Sequence, residues 1–385
     1  LSQWPASAEI FYHADGTSYK SGERLIQHDL ANTLTKISRH GANAFYQGRI
    51  AQQIVDGVNQ AGGKMSLADM KNYQLQLREP VSGTYRGYRI VSMPPPSSGG
   101  THIIQILNIL EQADLAGMGH NSAQSIHIMA EAMKRAYADR SEYLGDPDFN
   151  PVPVQQLTDK GYAKQLFAQI DGNQATDSEQ IKPGLKLPPE SPQTTHFSVV
   201  DRWGNAVSNT YTLNFSYGSG IMAKGTGVLL NNEMDDFSAK PGVANAYGLI
   251  GGSANSVEAG KRPLSSMSPT IVFKPASDDV FLVTGSPGGS RIITTTLQLI
   301  SNVIDHRMNI AEATIASRFH HQWLPDKITL EKGFSVDTIR LLQQKGHAID
   351  ASNWAMGSTQ SILRVDEGWS GASDLRQAGT LTLGH

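Results

Sequence analysis

The hydrophobic repeat of this chain passes from mostly helical spacing to alternation across one linker, and that change limits the folds open to it. Ahead of residue 172 most apolar side chains recur at helical spacing. Residues 172–193 then carry Pro183, Pro188, Pro189 and Pro192 and read as a linker. Directly behind it stands Thr194-Thr195, and from there apolar and polar residues alternate with the period of a half-buried strand. A helix-period pattern laid out as a strand would turn much of its apolar surface to water, so the two halves must supply different kinds of element. The linker between them is the natural place for a cut in the chain.

In the first half, residues 44–60 set Phe45, Ile50, Ile54 and Val58 near helical spacing, behind Asn43 as N-cap and ahead of a stop at Gly62-Gly63. Ser66 opens another helix, with Asp69 completing a capping box. Short β signals occupy residues 85–93. After the bend Pro94-Pro95-Pro96-Ser97-Ser98-Gly99-Gly100 the pattern predicts helices over 101–111 and 122–142, the second capped by Ser122. In the second half, strands are predicted over 197–201 and 206–213 around the turn Arg202-Trp203-Gly204-Asn205, then over 227–230, 270–274 and 280–284. Helices follow over 290–308 and 336–345, and a strand pair over 360–365 and 368–374 closes the chain. Consecutive strands flanked by long helices give a layered α+β architecture with much antiparallel pairing.

A threonine hydroxyl is a weak nucleophile unless a base stands beside it. If the chain is cut immediately before Thr194, that base is the threonine's own α-amine, which titrates near pH ~8 when unperturbed and accepts a proton without a large shift. On this reading Gln193–Thr194 is the processing bond of a self-cleaving hydrolase. Read alone, Thr194-Thr195 is an ordinary β-branched strand opening. Pro287-Gly288-Gly289, just before the helix predicted from Ser290, exposes backbone N–H groups at a positive dipole end. Such donors stabilise an oxyanion, each by roughly 3 kcal/mol. The same glycines could be a helix entry with no ligand, but a phosphate loop would need a Gly-Lys-Ser/Thr ending that this stretch lacks.

Composition narrows the function. The 385 residues fit one large domain or two ordinary ones. Lys plus Arg number 32 against 35 Asp plus Glu, with no long run of one sign, so nucleic acid is not an expected partner. Without cysteine there is no disulfide framework, no Cys-ligated zinc and no thiol nucleophile. No apolar run approaches the ~20 residues of a membrane span, and the chain opens at Leu1 with neither an initiator methionine nor a signal pattern. It is expected to be a mature piece or a fragment. His320-His321 is read as structural, since neighbouring side chains on one element diverge and no third metal ligand stands at ligand spacing. Neither the Gly-x-Ser-x-Gly elbow of a serine hydrolase nor a His-Glu-x-x-His occurs.

The runs Thr194-Thr195-His196-Phe197-Ser198-Val199-Val200-Asp201, Asn231-Asn232-Glu233-Met234-Asp235-Asp236-Phe237, Pro263-Leu264-Ser265-Ser266-Met267-Ser268-Pro269-Thr270 and Gly285-Ser286-Pro287-Gly288-Gly289-Ser290-Arg291 resemble the γ-glutamyltransferases, or glutathione hydrolases, of the bacterial type. The likeness continues through Met93 to Gly100, Tyr137 to Tyr143 and Arg318 to Trp323, nearly the whole chain. It implies the four-layer αββα sandwich of N-terminal nucleophile hydrolases. Residues 1–193 would be the C-terminal part of a large subunit and 194–385 the small subunit, together forming one domain. Thr194 would first attack its own preceding carbonyl, giving an ester that water opens, and then attack substrate, with Thr212 hydrogen-bonded to it and Gly288 and Gly289 as the oxyanion donors.

The same resemblance assigns the substrate contacts. Asp236 and Glu233 would meet the α-ammonium of a γ-glutamyl group, Ser265 and Ser266 its α-carboxylate, and Asn214 the glutamyl moiety. Some bacterial relatives have glutamine at the Glu233 position. Residues 241–255, with Tyr247, match a lid over the pocket. From the residues alone, the acidic pair is also a solvated turn, the serines turn formers, Thr212 plain sheet and Tyr247 part of a surface loop. No cofactor or metal is implied. The expected partners are a γ-glutamyl donor, an amino-acid or peptide acceptor, and the chain's own two fragments as a heterodimer, in a periplasmic or secreted location. Family members also carry an N-terminal segment ahead of the point matching Leu1, with an arginine that grips the substrate carboxylate.

Two rival readings remain. A β-lactam side-chain acylase of the same superfamily would keep Thr194 and Gly288-Gly289 without needing Asp236, Glu233 or the serine pair. The other is an inactive or binding-only truncated chain.

Overall fold

The computed structural model describes residues 1–182, 194–238, 252–352 and 355–384. Residues 183–193, the proline-bearing half of the linker with Gln193, and most of the 241–255 loop, Tyr247 included, lie outside the described residues. The chain forms two compact units, one of Leu1–Arg78 with Thr212–Glu233 and one of Glu79–Tyr211 with Met234–His385.

The first unit is mainly helical. The helix expected over 44–60 is two, Asn43–Tyr46 and Gly48–Gln60, so Asn43 lies inside the short one instead of capping a long one. The break falls at Gly48, whose φ of 68° is in the left-handed region that ends helices. Ile50, Ala51, Ile54 and Val55 form one stripe of the second helix and pack with Met70 and Ala223. Ser66 and Asp69 make both bonds of the capping box. The strand expected over 227–230 is only Val228–Leu229, paired with Met222–Ala223.

The second unit is built on a sheet. Its elements in chain order are β1 (Val81–Tyr85), β2 (Tyr88–Ser92), α1 (Gly99–Leu110), α2 (Ala123–Tyr143), β3 (Thr195–Val200), β4 (Ala206–Tyr211), β5 (Thr270–Phe273), β6 (Val280–Thr284), α3 (Arg291–Ile304), β7 (Gln360–Val365) and β8 (Gly368–Ser373). Six strands form one antiparallel sheet in the order β1-β2-β5-β6-β7-β8. The signal over 85–93 thus covers a turn and β2, while β1, with Ser82 and Gly83 in its five residues, gave no hydrophobic pattern to read. A short sheet of Phe319–His320, Ile328–Leu330 and Ile349–Ala351 was also not anticipated, because two or three residues cannot display a period.

Tyr85, Ile90, Val272, Leu282 and Leu363 point from one sheet face into a core shared with Ile103, Leu107, Ile126, Met133, Leu297 and Ile300 of the three helices. All 12 residues of α1 are buried, and Gly83 lets it approach: a Cβ there would stand 2.5 Å from Ile104. Ser122 caps α2 by accepting from the Ser125 amide. The β3–β4 hairpin packs on the opposite sheet face, where Phe197 and Ser198 share a cavity wall with Ile362. Helices, a sheet and a second small sheet in that order make this the α+β class expected from the sequence. Among the described residues no helix is long and apolar enough to cross a membrane.

Several ionisable side chains of α2 are buried, Asp139 among them. Asp139 of α2 accepts from Gln105 Nε2 at 2.6 Å and from the Tyr162 hydroxyl at 2.9 Å, and burial raises its carboxyl to about 6 against the lowering effect of those bonds. A carboxyl raised in the folded state stabilises the fold below its unfolded pKa, and that contribution is lost as pH rises through 6. Asn at 139 can accept both bonds without a charge. Asp139→Asn should therefore raise the thermal midpoint at pH 8, by at most about 3 kcal/mol equivalent, and lose that advantage near pH 4; parallel melting curves across this range test it.

Candidate active site

Register decides where the motifs of the second unit meet. Ser92 of β2 pairs with Thr270 of β5, and Thr270 with Thr284 of β6. Thr270 Oγ1 donates to Ser92 Oγ at 3.0 Å and Thr284 Oγ1 meets Ser361 Oγ of β7 at 2.7 Å, so a row of buried hydroxyls crosses four strands. The segment leaving β2 (93–100), the segment entering β5 (265–268) and the segment leaving β6 (285–289) consequently emerge at one end of the sheet. The hairpin is pinned to that end by Ser208, whose hydroxyl donates to the Thr284 carbonyl at 2.9 Å and accepts from the Thr270 amide at 3.0 Å. His196 of β3 lies directly under Gly285, where a Cβ would come within 2.4 Å of the imidazole. Half-buried Thr194, two residues before it, belongs to the same end.

The two Ser-Ser motifs lie side by side. The Ser265 amide donates to the Pro96 carbonyl at 2.9 Å, the Ser98 amide to the Ser265 carbonyl at 2.8 Å, and Ser97 Oγ to the Met267 carbonyl at 2.7 Å. Gly99 permits this approach, since a Cβ there would be 2.3 Å from the Met267 oxygen. Ser265 Oγ accepts from the Met267 amide at 3.1 Å. Ser266 Oγ accepts from Arg140 Nη2 at 3.1 Å, and Arg140 Nε donates to Ser98 Oγ at 2.9 Å. Sequence reading gave Arg140 no role; the signal available was a cation in the last turn of a helix whose other residues are nearly all buried.

Gly288 and Gly289 have φ of 138° and 58°, values that favour glycine. Their carbonyls accept from the Arg291 and Ile292 amides as α3 starts, while, among the described residues, their own N–H groups donate to no protein acceptor. The loop is held from behind: the Ser358 amide donates to Ser286 Oγ at 2.9 Å, and Ser286 Oγ donates to the Pro287 carbonyl at 2.7 Å. Two unsatisfied amides at the start of a 14-residue helix form a site for negative charge.

Asp236 is tied to the serine motif through Asn255, whose Nδ2 donates to the Asp236 carbonyl at 2.7 Å and whose Oδ1 accepts from the Leu264 amide at 3.0 Å. Thr212, Asn214 and Glu233 belong to the other unit. Thr212 is not in a strand, since β4 ends at Tyr211; its Oγ1 accepts from the Asn214 amide at 2.8 Å. Asn214 has φ of 72° and is buried, its Nδ2 donating to the Asn232 carbonyl at 3.2 Å. The Glu233 amide donates to Asn231 Oδ1 at 3.0 Å as a 3-10 turn begins. Tyr247 lies outside the described residues.

Burial lowers the His196 imidazole to about 3, so it is neutral. Ser198 Oγ donates to the Gln360 carbonyl and therefore accepts from His196 Nε2 at 3.2 Å, leaving Nδ1 to accept from Thr210 Oγ1 at 2.9 Å. Its lone pair is thus committed. The ring nitrogens of His320 and His321 all face Thr294, Gln322, Asp326 or the Trp323 amide. His127, Glu131 and His347 converge as metal ligands do, but Glu131 already accepts from Lys134, Arg135 and the Thr176 amide, and a dication there would sit beside two fixed cations.

A family sequence model described as Gamma-glutamyltranspeptidase matches residues 1–383. The chain is 56% identical over 380 residues to the glutathione hydrolase proenzyme of Escherichia coli (strain K12), a match covering 98% of this chain and 65% of that protein. It is 38% identical over 367 residues to the Acylase ACY 1 proenzyme of Pseudomonas sp. (strain SE83), covering 95% of this chain and 62% of that one. The crystal structure of cephalosporin acylase from Bacillus halodurans is similar with a TM-score of 0.83 at 26% identity, over 100% of this chain and 68% of that one. The chain thus spans a little under two thirds of these curated relatives.

The serine-motif pairing depends on Gly99. Gly99→Ala should lower stability by about 1–3 kcal/mol or more through overpacking, whereas Gly172→Ala, whose Cβ would meet only Gln124 Nε2 at 3.7 Å, should leave the melting midpoint nearly unchanged.

Proposed function

Because the chain belongs to the gamma-glutamyltranspeptidase family, we propose that it is a γ-glutamyl hydrolase and transferase acting on glutathione and other γ-glutamyl amides. Maturation begins when Thr194 Oγ attacks the Gln193 carbonyl; the peptide nitrogen leaves as the Thr194 amine, and water opens the resulting ester. Residues 1–193 and 194–385 then remain together as two fragments of one heterodimer. In turnover the freed amine takes the Oγ proton and Oγ attacks the γ-carbonyl. The amine of cysteinylglycine or another leaving group departs with that proton. Water or an acceptor amino acid then attacks the γ-glutamyl ester, and Thr194 regains its hydroxyl.

The observation that carries this reading is the pair of unclaimed Gly288 and Gly289 amides at the start of α3, on the sheet end where β3 begins. They suit the oxyanion of both acylation and deacylation, where a single donor is worth roughly 3 kcal/mol. Asp236 and Glu233 are assigned to the α-ammonium, Ser265 and Ser266 to the α-carboxylate, Asn214 to the glutamyl moiety, and Thr212 to the nucleophile. Tyr247 is assigned to a lid. No step needs a cofactor. A periplasmic or secreted location is proposed with this activity.

Similarity to a cephalosporin acylase favours a second reading, side-chain acylase chemistry on the same nucleophile. The two differ at the acidic pair: a γ-glutamyl donor needs it, whereas an acyl group without an α-amine does not.

Intact mass under denaturing conditions should give two polypeptides meeting at Gln193 and Thr194, and Thr194→Ala should remain one inactive chain. A wild-type chain that stays whole yet releases amine from a γ-glutamyl anilide would defeat the mechanism. Asp236→Asn should raise KM for that anilide by about 10-fold or more, the loss of a charged hydrogen bond; equal activity on an acyl anilide lacking the amine would instead favour the acylase.

A further inference from the structure

Arg140 is almost wholly buried, with 3% of its surface exposed, and its bonds dictate where the neighbouring hydroxyl protons go. A guanidinium can only donate. Ser98 Oγ accepts from Arg140 Nε at 2.9 Å and passes its own proton to the Ser265 carbonyl at 2.8 Å, so that proton is committed. Ser266 Oγ accepts from Arg140 Nη2 at 3.1 Å, and its proton meets no acceptor among the described residues. Ser265 Oγ accepts from the Met267 amide at 3.1 Å and is left with a proton in the same way. Two adjacent hydroxyls have thus each received a hydrogen bond from behind and keep a proton to donate in front.

We propose that Arg140 is a positioning residue that sets the Ser266 hydroxyl as a donor for a substrate carboxylate and adds a buried positive charge behind it. The inference rests on the reading that Ser265 and Ser266 meet the carboxylate of the acyl donor. Arg140 does not itself touch the substrate; it acts through Ser266, while Ser98 fixes the plane of the guanidinium and holds the Ser265 backbone. Two donors on one planar group, 2.9 and 3.1 Å from two different serines, are needed for this, which a lysine ammonium at the end of a flexible stem does not reproduce. The other titratable groups nearby leave this role to the arginine. Asp139, next to it on α2, is engaged by Gln105 and Tyr162, and His102, lowered to about 3 by burial and further by the charge of Arg140, is neutral.

The test compares two anilides, one γ-glutamyl and one 4-aminobutanoyl, which keeps the amine and lacks the α-carboxylate. Arg140→Gln should raise KM for the γ-glutamyl anilide by about 10- to 100-fold, the range of a hydrogen bond to a charged group, with kcat changed only a few-fold. KM for the 4-aminobutanoyl anilide should stay near that of the wild type. Arg140→Lys should fall between wild type and Gln. A loss shared equally by both substrates, or confined to kcat, would mean that Arg140 only holds the fold and would overturn the proposal. If Arg140→Gln yields no mature protein, Arg140→Lys and Ser266→Ala carry the test. Each should show the same selective rise, and combining them should add little to Ser266→Ala alone because Arg140 acts through that hydroxyl. Additive losses would refute it. Absence of γ-glutamyl turnover in the wild type would instead remove the functional reading on which the inference rests.

Discussion

Antiparallel register across β2, β5, β6 and β7 is the constraint on which the rest of the second unit depends. Val272, Leu282 and Leu363 bury against the helices, and Ile90 on β2 does the same. A slip of one residue would turn each of these to the opposite face, at about 1.5–3 kcal/mol for every side chain exposed. The core therefore fixes register. Register places Ser92, Thr270, Thr284 and Ser361 in one row, and the row fixes the end from which the three motif segments leave. Residues far apart in the chain meet because hydrophobic packing elsewhere leaves the strands no other alignment.

The end of the sheet itself is held by polar and backbone contacts. Ser208 occupies the Thr270 amide and the Thr284 carbonyl at the end pair of the β5–β6 ladder, and Ser98 ties Arg140 to the Ser265 carbonyl. Glycine recurs where another group must come closer than a Cβ allows: Gly99 against Met267, Gly285 against the His196 ring, and Gly357 against Ser286, where the Cβ would be 2.3 Å from Oγ. Satisfied polar groups packed this tightly have one arrangement, since each broken bond strands a buried partner. Such a scaffold can hold two loop amides in fixed positions without spending them on its own structure.

What the sequence made legible was chemistry expressed locally. The Ser66–Asp69 capping box, the hairpin around Arg202 to Asn205 and the Gly288-Gly289 helix entry are each specified by neighbouring residues and stand as read. Features set by distant partners were not legible. Nothing in Val81 to Tyr85 announces a strand until β2 pairs with it, and Thr212 continues the alternation of β4 although its hydroxyl has already turned to the Asn214 amide. The apolar repeat over 44–60 runs on across Gly48, where the helix in fact breaks. Arg140 was hidden for the same reason: its meaning lies in Ser98 and Ser266, 42 and 126 residues away. The nucleophile, the acidic pair and the serine pair were named through family resemblance, since no local pattern distinguishes them from a strand opening or a turn.

The environment of β3 bears on which base could serve Thr194. A histidine two residues along the strand would be the obvious candidate, as in triads where imidazole takes the hydroxyl proton. His196 is excluded from that role on two independent grounds. Burial holds it neutral with a pKa of about 3, too weak a base for the task, and its Nδ1 lone pair is occupied by the Thr210 hydroxyl. Its position under Gly285 gives it a different function, as a spacer between β3 and the glycine loop. With the imidazole committed to structure, the base that the sequence offers at Thr194 is the amine that cleavage would uncover. The hydroxyl would then lack its base until the preceding peptide bond is broken, so processing and activation of the nucleophile would be a single event.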